Sequence, residues 1–417
     1  MPSKERCSNS FFRTSSRAAT SALAIAVVFV LTLMSQSADA QTFQVIYSFG
    51  TSDSDGYAPN GIVMDSAGYL YGTTMDGGLS GYGTVFRLSN QGSGRLYTTL
   101  YSFTGAEHGD GRAPDFGVTF GPDGGLYGTT YYGGVQHGCE GAGCGTVYKL
   151  TPPAWTESVL YRFGRGSTPF DGGYAFGGLV FDEAGNLYGN TLVGYNGSGT
   201  VFSLRPSGGR WIERILAYSG CCGRGRGIVI DNAGNLYAIS PSGAYGYGAV
   251  FELMPSGSGW TEKVLYNFQG GSDGGFPSNS LILDQSGNLY GMTTGWFGSG
   301  GSGTVFELTP SGGTWTFSLL YSLTGGPSNG AQTGLVIDTE GNLYGTQYYY
   351  GQNGGSGSVF RLSPSSSGWA YTDLHDFNAA SDGNNPETLI LGADGNLYGV
   401  TFSGGINSGG TLFEITP

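Results

Sequence analysis

One phrase, Asp-x-x-Gly-Asn-Leu-Tyr-Gly, constrains the fold of this chain more than any other feature. Its clean form is Asp284-Gln-Ser-Gly287-Asn288-Leu289-Tyr290-Gly291. It or a close variant occurs seven times, with its tyrosine at Tyr71, Tyr127, Tyr188, Tyr237, Tyr290, Tyr344 and Tyr398. Successive tyrosines stand 56, 61, 49, 53, 54 and 54 residues apart. A repeat of this length that holds several short strands marks a propeller, so the number of copies predicts the number of blades.

Each repeat divides into four strand-like runs. In the fifth these are Ser280–Leu283, Asn288–Thr294, Gly303–Leu308 and Trp315–Tyr321. They are rich in Val, Leu, Tyr, Phe and Thr, and Gly/Pro/Ser/Asn/Asp clusters separate them, which is the sequence signal of hairpins. The first run is continuously apolar, as in Ile62-Val63-Met64, Leu179-Val180-Phe181, Ile228-Val229-Ile230, Leu335-Val336-Ile337 and Leu389-Ile390-Leu391. Such runs suit strands covered on both faces, the situation of the innermost strand of a blade. The third run recurs as Gly-Thr-Val-Phe-x-Leu, and the fourth as Trp-x-x-x-x-Leu-Tyr-x-Phe, with Arg95 replacing the tryptophan in the first unit. No segment beyond residue 41 shows a helical period. The 80 glycines have no three-residue period and gather at turns, while 14% aromatic content supplies a core, so neither collagen nor disorder fits.

The two ends settle the arrangement. The sequence stops on a third-strand run, Gly410 to Ile415, and Phe43-Gln-Val-Ile-Tyr-Ser-Phe49 matches the fourth-strand pattern. The expected fold is therefore an all-β, seven-bladed propeller of four-stranded antiparallel blades over residues 41–417, with its last blade completed by the N-terminal strand. Closure of this kind protects edges that an open β-solenoid, the alternative, would leave unpaired.

Residues 1–40 read as a secretory signal. Lys4, Arg6, Arg13 and Arg17 precede an apolar run from Ala22 to Met34, and Ala38-Asp39-Ala40 is a small-x-small cleavage site that predicts a mature start at Gln41. That run is shorter than the roughly 20 residues a membrane span needs, and nothing after residue 41 could span. Residues 1–40 hold four of the 17 Lys/Arg and two of the 30 Asp/Glu, which leaves a mature balance of −15. Such a charge opposes nucleic acid and anionic membranes as partners. In an exported chain the four remaining cysteines point to disulfides. Cys139 and Cys144 bracket one loop as a staple, whereas the adjacent Cys221 and Cys222 fit either a vicinal pair or free thiols. A zinc site built from all four lacks ligand spacing.

Tandem units of the form Gly-Leu-Val-x-Asp-x-x-Gly-Asn-Leu-Tyr-Gly…Gly-Thr-Val-Phe-x-Leu-x-Pro-Ser-Gly…Trp…Leu-Tyr-x-Phe resemble the GloVer (Gloeo/Verruco) tandem repeat of exported bacterial proteins, the choice-of-anchor group. The hairpin phrase is also similar to NHL-type propeller repeats. The resemblance spans residues 41–417 and implies an exported repeat protein without an assigned chemistry. Members often carry a C-terminal sorting anchor. This sequence stops at Pro417 without one, so attachment by that route is not expected.

For a site, the two rims of a propeller differ. The Asp-x-x-Gly-Asn turns share one rim and are too regular to be a site: Asp65, Asp182, Asp231, Asp284 and Asp338 are expected to cap their own turns, and they lack the oxygen spacing of a calcium loop. The other rim carries loops of varying length between second and third strands. These hold Tyr131-Tyr132, Tyr195, Tyr245, Tyr247, Trp296-Phe297 and Tyr348-Tyr349-Tyr350. The expected binding residues are Tyr131, Tyr132, Trp296, Phe297, Tyr348, Tyr349 and Tyr350, whose flat faces could stack on sugar rings or grip peptide. Packing between loops explains the same rings. The Asp-Gly…Pro phrases of the blade-to-blade loops read as turns.

Catalytic sets are thin. His108 near Glu107 and Asp110, and His137 beside Glu140, could converge on one rim for acid–base work; His375 falls in a fourth strand. Gly270–Gly274 and Gly326–Gly330 match Gly-x-Ser-x-Gly without the helix a nucleophile elbow requires. The sequence therefore predicts a secreted or envelope protein with no cofactor and no metal, acting as a non-enzymatic scaffold that recognises an extracellular glycan or protein. The alternative is an exported polysaccharide lyase or hydrolase using rim carboxylates with His108 and His137, and a purely structural envelope role is a third class.

Overall fold

A computed structural model of the chain describes residues 41–417 apart from 53, 92–93, 136–138, 165–170, 195–196, 222–226, 295–302, 324–333 and 350–354. Its strands form seven antiparallel blades arranged as a propeller. Blade 1 runs outward from Tyr57–Met64 through Leu70–Asp76 and Thr84–Gln91 to Gly94–Ser102. Blade 7 consists of Asn384–Leu391, Leu397–Ser403 and Thr411–Thr416, and its outermost strand is Thr42–Ser48 from the other end of the chain. The expected closure by the N-terminal strand is present.

The repeated phrases fold this way because alternation along a strand sends neighbours to opposite faces. In Leu-Tyr-Gly the leucine faces the preceding blade and the tyrosine the following one. Thus Tyr71 and Val85 of blade 1 meet Val118, Leu126 and Leu150 of blade 2 in one cluster. The same assembly recurs at every junction round to Tyr398 and Leu412 of blade 7 against Leu70 and Phe86 of blade 1. The glycine of the phrase is a space requirement: a Cβ on Gly72 would stand 2.6 Å from Cζ of Phe86, and one on Gly291 2.5 Å from Cζ of Phe306. The third strand's phenylalanine lies across that glycine.

A fourth-strand tryptophan completes the junctions that lead into blades 2 to 6. Trp155 packs on Tyr71 (5.8 Å between ring centroids), Trp211 on Tyr127 (6.4 Å), Trp260 on Tyr188 (5.9 Å) and Trp315 on Tyr237 (5.9 Å). Such pairs add about 0.5–1.5 kcal/mol beyond the area they bury. At the closing junction Arg95 takes the tryptophan's place. Its guanidinium lies 5.3 Å from the Tyr398 ring centroid and its Nη2 is 3.0 Å from Glu414 Oε2, so the exception in the first repeat ties blade 1 to the last one.

The innermost strands differ in length from blade to blade. In blades 2, 3, 4 and 6 the outward-paired core of the innermost strand is two residues, Thr119–Phe120, Val180–Phe181, Val229–Ile230 and Val336–Ile337. The innermost strands crowd the axis: a Cβ on Gly61 would come within 2.2 Å of the Gly117 backbone nitrogen of the next blade. Side chains bond across instead, as Thr388 Oγ1 donates to Asn60 O (2.7 Å) and Thr119 Oγ1 to Leu179 O (2.8 Å).

Candidate ligand-binding rim

The turn rim is committed to its own structure. Asp231 Oδ1 accepts from the backbone N–H groups of Ala233 (2.9 Å) and Asn235 (2.8 Å), while its Oδ2 accepts from Asn235 Nδ2 and, at 3.0 Å, from the Tyr237 hydroxyl. Asp182, Asp284 and Asp338 bind the same tyrosine. In blades 2 and 7 the acid stands two positions later, as Asp123 and Asp394, and still receives Tyr127 and Tyr398. Tyr237 and Tyr290 each place one hydroxyl between two carboxylates, Asp231 with Glu252 and Asp284 with Glu307. Burial first, then these charges, hold both phenols well above the usual tyrosine range.

The blade-to-blade acids are equally engaged. Asp110 accepts from the Tyr101 hydroxyl (2.9 Å), Thr104 N (2.8 Å) and Gly111 N. Asp55 serves Tyr47 and Thr51, Asp171 serves Tyr161 and Gly164, and Asp273 serves Tyr266 and Gln269. His375 occupies the tyrosine position of blade 6, its Nε2 3.0 Å from Asp382 Oδ2 and its ring stacked on Phe43 at 3.6 Å. It is a variant of the repeat rather than a separate feature. His108 sits on the short 3-10 turn Ala106–His108 with Nδ1 3.2 Å from Thr104 O. His137 lies outside the described residues. Among the described residues no group of three His, Cys, Asp or Glu is placed to hold a metal, and no helix is long and apolar enough to cross a membrane.

The axial cavity is apolar among the described residues. It holds about 240 Å³ and is lined by Ile62, Val118, Leu179, Ile228, Leu281 and neighbouring glycines, threonines, valines and Phe116, with no ionisable side chain among them.

On the long-loop rim, Tyr131 and Tyr132 follow the second strand of blade 2. Their rings meet at 4.7 Å, nearly perpendicular, and Tyr131 stacks on Tyr174 of the short strand Gly173–Ala175 that enters blade 3 (4.8 Å, 18°). Tyr348 and Tyr349 take the equivalent positions in blade 6 and repeat the geometry at 4.7 Å. There Asn385 donates to Tyr348 O (3.0 Å) and Tyr349 is 43% exposed. Trp296, Phe297 and Tyr350 lie outside the described residues, as do Tyr195 and Cys222. Tyr245 is 60% exposed, whereas Tyr247 packs toward Phe276. Cys139 and Cys144 form a disulfide with Cα atoms 5.1 Å apart. Cys144 O accepts from Tyr174 N (2.7 Å), so the staple backs the loop that carries Tyr174.

Sequence reasoning missed three members of this cluster. Gly111–Arg112 pairs with Tyr132–Gly133 as a small two-stranded sheet, with Arg112 directly opposite Tyr132. The Arg112 guanidinium lies 5.0 Å from the Tyr82 ring centroid and 5.8 Å from that of Tyr132. Arg112 is exposed. Burial raises the carboxyl of nearby Asp76, and the charge of Arg112 opposes that rise. Tyr82, Arg112 and Tyr174 sit in linkers and loop ends, where the repeat pattern is weakest, and only cross-strand register reveals their proximity.

The family described as the Gloeobacter/Verrucomicrobia repeat matches residues 10–227 and 194–413. No curated protein matches the sequence. Among solved structures, PorZ of Porphyromonas gingivalis, a bacterial surface component of its type-IX secretion system, is similar at 15% identity and a TM-score of 0.53, over 89% of this chain and 48% of PorZ. This chain thus spans about half of PorZ. The aldose sugar dehydrogenase of Streptomyces coelicolor, in its PQQ-bound form, is 13% identical over 90% of this chain and 98% of its own, with a TM-score of 0.43. At these identities the likeness is one of fold.

Proposed function

The chain belongs to the Gloeobacter/Verrucomicrobia repeat family, and we propose that it is an exported, non-enzymatic recognition scaffold that binds an extracellular glycan or protein through its long-loop rim. The observation that carries this reading is the aromatic face formed by Tyr131, Tyr132 and Tyr174, where rings are held together at a loop end and braced by a disulfide. Flat, pre-ordered rings are surfaces on which a sugar ring or an extended peptide loses little entropy in docking. The blade-to-blade carboxylates Asp110 and Asp171 are hydrogen-bonded to their own repeat, and fold alone assigns no chemistry. The disulfide fits an oxidising compartment outside the cytoplasm.

The export part of the proposal predicts a mature chain that begins at Gln41, and N-terminal sequencing of protein from the culture medium or envelope tests it; a chain that retains residues 1–40 contradicts it. The binding part predicts that Tyr131→Ala together with Tyr132→Ala weakens a detected ligand by at least about tenfold, the loss expected when a buried aromatic contact is removed. Calorimetric titration of both proteins measures this, and unchanged affinity in a folded variant rejects this face.

A further inference from the structure

We infer that the face around Tyr132 recognises an acidic glycan, one bearing uronate carboxylates or sulfate groups, and that Arg112 reads the charge. This rests on the binding role proposed above for the same face. Arg112 departs from the repeat at a position the fold leaves open. At the equivalent register the sheets pair Tyr57 with Asp76 in blade 1, Gly173 with Val193 in blade 3 and Asn384 with Ser403 in blade 7. Blade 2 alone among these sets a cation opposite an aromatic ring, Arg112 against Tyr132.

The geometry suits an anion. The guanidinium carbon lies over the rings of Tyr82 and Tyr132, and among the described residues none accepts a hydrogen bond from it, so its fork of donors can meet a two-oxygen acceptor. The Tyr131–Tyr174 stack adjoins Tyr132 (4.7 and 5.6 Å) and supplies the flat surface for the sugar ring that carries the anion. Asp76 is the competing carboxylate beside Arg112. Asp110, one residue before the Gly111–Arg112 strand, is saturated by Tyr101, Thr104 and Gly111. The acidic balance of the whole chain opposes approach at long range, but at about 0.15 M salt that field is screened beyond about 8 Å.

The test measures binding of the mature chain, residues 41–417, to three immobilised polymers: a polyuronate, a sulfated polysaccharide and neutral dextran. Arg112→Gln and Arg112→Lys are run beside the parent, with thermal melting to confirm folding. The inference expects the parent to prefer the charged polymers, Arg112→Gln to lose about tenfold or more, and Arg112→Lys, which keeps the charge without the fork, to fall between. Whether the polyuronate or the sulfated polymer binds more tightly identifies which anion is read. Equal affinity of Arg112→Gln and parent for the charged polymers overturns the inference. If dextran is bound as tightly, with dependence on Tyr131 and Tyr132 but not on Arg112, the acidic-glycan inference fails and glycan recognition stands. Silence towards all three polymers removes the inference and counts against the glycan reading together.

Discussion

Single residues in this propeller do repeated jobs, and the departures are where chemistry changes. At the outer edge of each junction, the residue opposite the third-strand leucine is aromatic in blades 1, 5 and 6. Tyr97 stacks on Tyr47 (4.5 Å), Phe317 on Tyr266 (4.4 Å) and Tyr371 on Tyr321 (5.0 Å). Blades 2 and 3 put Glu157 and Glu213 there instead. Burial first, and then the charge of Asp110 or Asp171, pushes each carboxyl up to about 7, and each Oε1 is buried with no hydrogen-bond partner among the described residues. A carboxyl raised in the folded state holds its proton more tightly there than in the unfolded chain. The stabilisation from these two groups is therefore full below the ordinary glutamate value of about 4.3 and is lost as pH rises through about 7. Stability should fall between pH 5 and 8, and Glu157→Gln with Glu213→Gln should flatten that slope. The gain at pH 8 should be about 1 kcal/mol per site, well under the full conversion because each side chain remains partly wet. Urea unfolding across that range measures it, and an identical slope in parent and variant contradicts the assignment. The sequence displayed these glutamates without displaying their burial, because a strand pattern does not say which face meets the next blade.

At the scale of the element, the decisive piece is Thr42–Ser48. It was legible, since Phe43 to Phe49 repeats the fourth-strand phrase and the opposite end stops on a third strand. It pairs with Thr411–Thr416, and Phe49, fully buried, packs against Ile62, Phe86 and Leu88 of blade 1. Removing residues 41–49 leaves the Thr411–Thr416 edge unpaired and deletes a buried phenylalanine worth about 3–5 kcal/mol on its own. Such a protein should associate or aggregate in size-exclusion chromatography, and a peptide of residues 41–50 added in trans should restore the elution volume of the protein that begins at Gln41. A monomer of unchanged melting temperature without the strand would show that the ring does not depend on it. The innermost strands were less legible. Their apolar runs did not show that the ladders of blades 2, 3, 4 and 6 would be two residues long while that of blade 1 spans Tyr57–Met64. The replacement of tryptophan by Arg95 was visible as an exception, and its reason, a carboxylate and a tyrosine from the last blade, needed the closed ring.

For the whole molecule, seven repeated junctions make a ring whose turn rim is engaged in its own hydrogen bonds and whose axial cavity has an apolar lining, and the aromatic loops lie on the long-loop rim. The sequence located Tyr131, Tyr132, Tyr348 and Tyr349 on that rim, because aromatic pairs stand out among glycines. It did not reveal Tyr82, Arg112 and Tyr174, which join Tyr131 and Tyr132 only through cross-strand register and blade order. The proposed recognition of an extracellular glycan or protein by this rim face is tested first by a glycan-array screen of residues 41–417 with the Tyr131→Ala/Tyr132→Ala variant beside it. Defined binding by the parent that the folded variant loses is the expected result. Binding retained by the variant would contradict this face as the site, and silence from both proteins would contradict the glycan partner.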